Sequence, residues 1–137
     1  MAKCEHGRVK SVCKDCKAAE KGGGSICDHD RVRQTCSVCS PEKVFAAYKH
    51  KAKQRNLSFA LTLDEFEKIV QAACVFCGEQ PALGVDRKDN RIGYIPWNCQ
   101  AACGVCNFMK RAMLHHNFLF QVLKIAKHQE LRKQKAA

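Results

Sequence analysis

The stretch that decides the reading begins at Cys74-Val75-Phe76-Cys77 and ends at Cys103-Gly104-Val105-Cys106-Asn107. Between the two cysteine pairs stand Gly84-Val85-Asp86-Arg87-Lys88-Asp89-Asn90, then Gly93-Tyr94 and Asn98. Two CxxC pairs with 25 residues between them can close one tetrahedral zinc site, because each tight knuckle offers two thiolates. Such a site would hold one carboxylate (Asp86) and two carboxamides (Asn98, Asn107) in fixed places on a short scaffold. Oxygen donors gathered beside a structural zinc suit a second, harder cation, of the kind that acts on phosphodiesters.

Upstream, the spacing Cys4-x-His6-x6-Cys13-x2-Cys16 recurs as Cys27-x-His29-x6-Cys36-x2-Cys39. Each copy supplies three sulfurs and one imidazole nitrogen, the full complement of a closed structural zinc. Lys21-Gly22-Gly23-Gly24-Ser25 reads as a flexible spacer between the modules. Together with Cys74, Cys77, Cys103 and Cys106 the chain is expected to bind three structural Zn2+. Only Cys99 of the 11 cysteines falls outside these patterns, and it reads as a small buried thiol. Sizeable aliphatics are scarce before residue 40, so metal staples must replace a core there.

Composition narrows the function. The 137-residue chain opens without an apolar run and contains none long enough to span a bilayer. Cysteine-rich metal patterns without an export signal point to an intracellular, reducing compartment rather than a disulfide framework, with no membrane partner. Net charge is +11, distributed as +3 over residues 1–40, +4 over 41–60, −2 over 61–100 and +6 over 101–137. Ionised zinc thiolates lower the total to about +7. Basic flanks around a mildly acidic centre suit a polyanion whose backbone is presented to that centre: nucleic acid, DNA first and RNA as the alternative. Arg8, Lys10, Lys14, Arg31 and Arg33 are expected to track phosphates.

The expected fold class is α+β, small and zinc-stapled. Five segments are expected: 1–20, zinc module 1; 21–40, linker and zinc module 2; 41–73, a helical lead-in; 74–114, the metal-binding core; and 115–137, a C-terminal helix and basic tail. Ser40-Pro41-Glu42 opens a helix with a serine cap, and Val44, Phe45, Tyr48 and Ala52 form its apolar stripe. Leu57, Phe59 and Leu61 alternate as an extended segment. Thr62-Leu63-Asp64-Glu65 is a capping box starting a second helix that turns Phe66, Ile69, Val70 and Ala73 to the core. Leu83 and Val85 predict a strand, Asn90–Gly93 a turn, and Tyr94-Ile95-Pro96 the returning strand. Helices are then predicted from about Val105 to Met113 and onward from a cap at Asn117. The second of these buries Phe118, Leu119, Val122, Leu123 and Ala126 and frays from Leu131.

The pattern Cys-x2-Cys, Gly-Val-Asp-Arg-x-Asp-Asn-x2-Gly-Tyr, Asn-Cys, Cys-x2-Cys-Asn-x-Met-Lys resembles the HNH endonucleases of phages, large DNA viruses and mobile introns. Tyr48, Ala52-Lys53-x-Arg55-Asn56-Leu57, Phe59-x-Leu61-Thr62 and the Phe118–Ile125 helix are similar to the phage-type branch. The resemblance covers roughly residues 44–128 and leaves out the two N-terminal modules. It implies a ββα-metal core, treble-clef-like, with flanking helices and two N-terminal zinc knuckles. It also implies that Asp86 and Asn107 ligate one Mg2+ or Mn2+ and that Asn98 orients the general base and its loop. The four core cysteines then hold zinc.

At the general-base position, where the family carries histidine, this chain has Arg87. Guanidinium does not release its proton near neutral pH. Substitutes are Asp89, Tyr94, His115 and His116, or a hydroxide on the cation. Asp86, Arg87, Asn98 and Asn107 are therefore the expected catalytic set of a metal-dependent nuclease acting on DNA. Two other readings stand beside it. One is an inactive HNH-derived protein that binds DNA or RNA structurally, for example in a ribonucleoprotein. The other is a zinc-module adaptor, which explains the fingers but leaves Asp86, Asn98 and Asn107 without a role.

Overall fold

A computed structural model describes residues 25–136; zinc module 1, with Cys4, His6, Cys13 and Cys16, lies outside the described residues. The first described unit is the second module. Ile26 and Val32 form an antiparallel bridge, the Cys27 N–H donates to Arg31 O, and Asp30 turns the chain at φ +52°. A single 3-10 turn, Arg33–Thr35, leads to Cys36, which is fully buried. The module is seated on the rest of the chain: the Ser37 hydroxyl, itself buried, donates to Leu83 O at 2.8 Å.

Helix α1 runs Pro41–Gln54 with proline at its first position, as the sequence predicts. Its serine cap differs from expectation. The Ser40 hydroxyl turns away from the helix and donates to Arg33 O at 3.0 Å, joining the zinc module to the helix instead. The other end of α1 closes by a Schellman pattern: Asn56 sits at φ +52°, its N–H reaches Lys53 O, and the Leu57 N–H reaches Ala52 O. Phe59 then makes a parallel bridge with Tyr94. Helix α2, Leu63–Gln71, carries the complete Thr62/Glu65 capping box.

α1 and α2 hold one side of the core between them. Phe45, Tyr48 and Phe66 meet edge to face at 5.3–5.5 Å, and Phe59 and Tyr94 extend the cluster. Ala52, Leu61, Val70 and Val85 fill in beneath them. A second apolar cluster forms around Cys74, Cys103 and Cys106 with Ala82, Ala101 and Ala102. Ala73, expected to face the core, is exposed, because the chain has already left the helix for the knuckle.

The hairpin differs from the sequence reading. Strand β1 is Val85–Arg87, and its antiparallel partner β2 is Cys99–Ala101, in register Val85↔Ala101, Asp86↔Gln100, Arg87↔Cys99. Tyr94-Ile95-Pro96 is not the returning strand. Tyr94 belongs to the bridge with Phe59, and Pro96, which has no N–H to give a ladder, opens a 3-10 turn over Pro96–Asn98. Helix α3 is Gly104–Lys110, shorter than expected, because Arg111 at φ +52° ends it.

Helix α4 starts at His115, so Asn117 lies inside it, and its helical geometry continues through Leu131 to Ala136. Of its five expected core residues only Phe118 is buried; Leu119 and Val122 are half-buried, and Leu123 and Ala126 are exposed. The helix packs by its first turns, with Phe118 edge to face on Phe76 at 5.0 Å. No helix among the described residues is long and apolar enough to cross a membrane.

Gly93 is the tightest backbone approach. A Cβ there would run into the backbone and hydroxyl of Ser58, whose carbonyl accepts the Tyr94 N–H at 2.8 Å. Gly93→Ala should therefore push apart the Phe59–Tyr94 bridge and lower the melting temperature by roughly 5–10 °C. A thermal melt by circular dichroism reads this; a curve superposable on the wild type would show that Ser58 yields freely.

Candidate nuclease-like site and metal clusters

Among the described residues two sulfur-rich clusters form. In the first, the Sγ atoms of Cys27, Cys36 and Cys39 lie 3.7, 3.6 and 3.5 Å from His29 Nδ1. In the second, Cys77 and Cys103 Sγ are 3.7 Å apart, and the Cys103 sulfur accepts the Cys106 N–H at the start of α3. All ligand atoms of each group lie within 4.8 Å of one another. Tetrahedral zinc with its usual bond lengths spaces sulfurs by about 3.8 Å, and sulfur from nitrogen by about 3.6 Å. Both groups could hold structural zinc. Cys99 joins neither; burial pushes its thiol up to about 12, so it stays protonated as a small apolar filler.

A cavity of about 530 Å³ opens between β1 and α3. Asp86 and Asn107 both line it, together with Arg55, Arg87, Arg111 and Tyr94. The Asn107 amide donates to Val85 O at 3.3 Å, and its Oδ1 has no partner among the described residues. Three arginines and one aspartate among the lining residues give the wall a positive balance. Arg55 caps the C-terminal end of α1, and Arg31 of the second zinc module approaches the rim. Its guanidinium lies 3.6 Å from where a Cβ on Gly104 would stand.

Arg87 does not pair with Asp86. Its guanidinium donates to Asn90 O (2.8 Å) and Ile92 O (3.0 Å) and lies over the Tyr94 ring, 5.1 Å from the centroid. Asn98 is fully buried and does not line the cavity. Its Oδ1 accepts the Asp89 N–H at 3.0 Å, and its amide donates to Asp89 O and Gly93 O, each at 3.0 Å. It stitches the 88–98 loop, while Asn90 anchors the tip of that loop to Arg111 O at 2.7 Å.

Asp86 is itself 2% exposed, and both of its oxygens are engaged. Lys110 Nζ donates to Oδ1 at 3.0 Å and to Arg87 O at 2.9 Å; the Gln100 amide donates to Oδ2 at 2.8 Å and lies 3.0 Å from His115 Nδ1. Lys110 and Gln100 are the functional neighbours that reading the sequence missed. Gln100 stands opposite Asp86 in the ladder and becomes visible only once the correct return strand is known. Lys110 follows Asn107 by three residues, one face of a helix, a spacing that could have raised it.

The proposed substitute bases separate by position. Asp89 is bound by the Arg91 guanidinium and N–H, which hold its carboxyl down at about 2, so it does not take up a proton near neutral pH. His115 lies on the far side of Gln100 against Phe76, and His116 is exposed on α4. Tyr94 lines the cavity, and its hydroxyl has no partner among the described residues.

No protein-family model matches the chain. It is 38% identical over 85 residues to the uncharacterized protein R423 of Acanthamoeba polyphaga mimivirus; the match takes in 60% of this chain and 16% of the viral protein. Among solved structures its fold is similar to that of PacI, a rare-cutting HNH restriction endonuclease whose structure was described for its mechanism of DNA perturbation. The TM-score is 0.53 over 97% of this chain and 99% of the other, at 19% identity. The chain thus has a small α+β fold, with helices around a two-stranded sheet and two thiol-rich clusters among the described residues, and this fold is similar to that of an HNH nuclease.

The two clusters make a direct prediction. Cys36→Ser and Cys103→Ser should each lower protein-bound zinc by about one equivalent per chain, read by atomic emission on the purified protein. Unchanged zinc in either variant would remove that cluster from the account.

Proposed function

We propose that the protein is a metal-dependent endonuclease that hydrolyses phosphodiester bonds in DNA. The observation that carries this reading is that Asp86 of β1 and Asn107 of α3 share one cavity walled by Arg55, Arg87 and Arg111. A carboxylate and a carboxamide oxygen suit a hard divalent ion, Mg2+ or Mn2+, with positions left for water and phosphate oxygens. Bound there, the ion would polarise the phosphoryl group and stabilise the leaving 3′ oxygen.

The protein's own groups divide the remaining work. Arg55 and Arg111 both line the cavity and offset the charge of the bound strand. Arg87 braces the loop through two carbonyls and is not the base. Tyr94 is the substitute base that lines the cavity, with the Arg87 guanidinium over its ring. Asn98 keeps the loop closed beneath it.

One observation favours the second reading, an inactive nucleic-acid-binding protein. Lys110 already answers the charge of Asp86, so the cavity is complete as a phosphate-binding wall without a divalent ion.

A single assay separates the two. Supercoiled plasmid should be nicked when Mg2+ or Mn2+ is added and left intact when it is not. Asp86→Ala and Asn107→Ala should slow nicking by about 100-fold or more. Plasmid that is bound but never nicked, with binding unchanged in both variants, establishes the second reading instead.

A further inference from the structure

Lys110 is fully buried, its partner Asp86 nearly so, and the two are 3.0 Å apart. A lysine ammonium almost never loses all its water without a partner, since desolvation costs several kcal/mol per ion. This pair is therefore built into the fold. Lys110 Nζ also bonds Arg87 O, Gln100 fixes the second carboxylate oxygen, and Arg111 ends the helix one residue later. Asn107 and Lys110 sit three residues apart on one face of α3, both turned toward β1.

We propose that Lys110 is a resident counter-ion that competes with the divalent cation for Asp86, so that it sets how tightly this site binds metal. This rests on the nuclease reading of Asp86 and Asn107. Each carboxylate oxygen keeps a second acceptor direction, so a cation can bind without expelling the lysine. It does so beside a like charge. Asp86 and Lys110 cancel and Asn107 is neutral, so the donor set presents no net charge to an arriving dication. The missing negative charge comes with the phosphodiester, which couples metal binding to the presence of the nucleic-acid strand. Without metal, Lys110 and Gln100 hold the carboxylate aimed by one hydrogen bond to each oxygen.

The test is Mn2+ binding by the zinc-loaded full-length protein without DNA, followed by loss of the free Mn2+ resonance signal. Mn2+ is the weakest competitor of its series for thiolate sites, so the zinc clusters are left alone. Lys110→Met and Lys110→Gln should each lower the Mn2+ Kd by about tenfold or more. Adding Asp86→Asn to either should abolish that gain. The glutamine variant keeps a donor for Arg87 O and much of the volume, which protects the fold.

Equal or weaker Mn2+ binding in both single variants overturns the proposal, as does the absence of binding in every variant. If both variants unfold, recovery of their helical signal in millimolar Mn2+ supports the proposal, and failure to recover overturns it. The plasmid assay keeps the two readings apart. Nicking by wild type with no change in Mn2+ affinity sinks the role of Lys110 alone. Tighter Mn2+ binding with no nicking by any protein sinks the nuclease reading alone.

Discussion

The thiolate cluster of Cys74, Cys77, Cys103 and Cys106 gathers three separate pieces of the chain onto one point: the knuckle after α2, the run out of β2, and the first turn of α3. Strands of three residues cannot hold a hairpin in water by themselves. Here the Val75 N–H bonds Ala101 O and the Ala102 N–H bonds Gly84 O, so the knuckle extends the ladder that the strands are too short to complete. Because α3 begins at the cluster, the faces of Asn107 and Lys110 are set relative to Asp86 before any ligand arrives. A four-cysteine cluster that could hold zinc thus does for the cavity what a larger core does in bigger proteins.

The second constraint is polar and internal to the 88–98 loop. Asn98 makes bonds to the backbone of Asp89 and Gly93, Arg87 takes the carbonyls of Asn90 and Ile92, and Asn90 reaches across to Arg111. Carbonyls turned into a small protein have to be met by donors. Three side chains supply them and close the loop without regular structure. Arg87 in this structure serves the loop.

Features fixed by local chemistry were legible in the sequence. The CxxC spacings, the Thr62–Glu65 box, the proline-led start of α1 and its aromatic stripe each depend on residues a few positions apart. What was missed depends on non-local pairing. Pro96 and the alternation around Tyr94 suggested the return strand, while the ladder that formed uses Cys99–Ala101, chosen by the knuckle rather than by propensity. Gln100 could not be placed beside Asp86 until that register was known. Lys110 closes the cysteine-asparagine pattern in the sequence and shares a helix face with Asn107, but the carboxylate opposite it is set by non-local pairing. The apolar spacing of α4 suggested a buried face, but only its first turns meet Phe76, and the described fold offers nothing further along for Leu123 to rest against.

The single hydroxyl of Ser37 has a wider reach than its size suggests. It fastens the Cys3His knuckle to the carbonyl of Leu83, a residue in the left-handed region just ahead of the strand that bears Asp86. Damage to one sulfur cluster is therefore not confined to its own neighbourhood. Oxidising Cys36 would unseat Ser37, release the peptide that leads into β1, and slacken a carboxylate belonging to the other half of the molecule. The Ser37 bond thus ties the Cys27–Cys39 cluster to the peptide entering the strand that pairs beside the Cys74–Cys106 cluster.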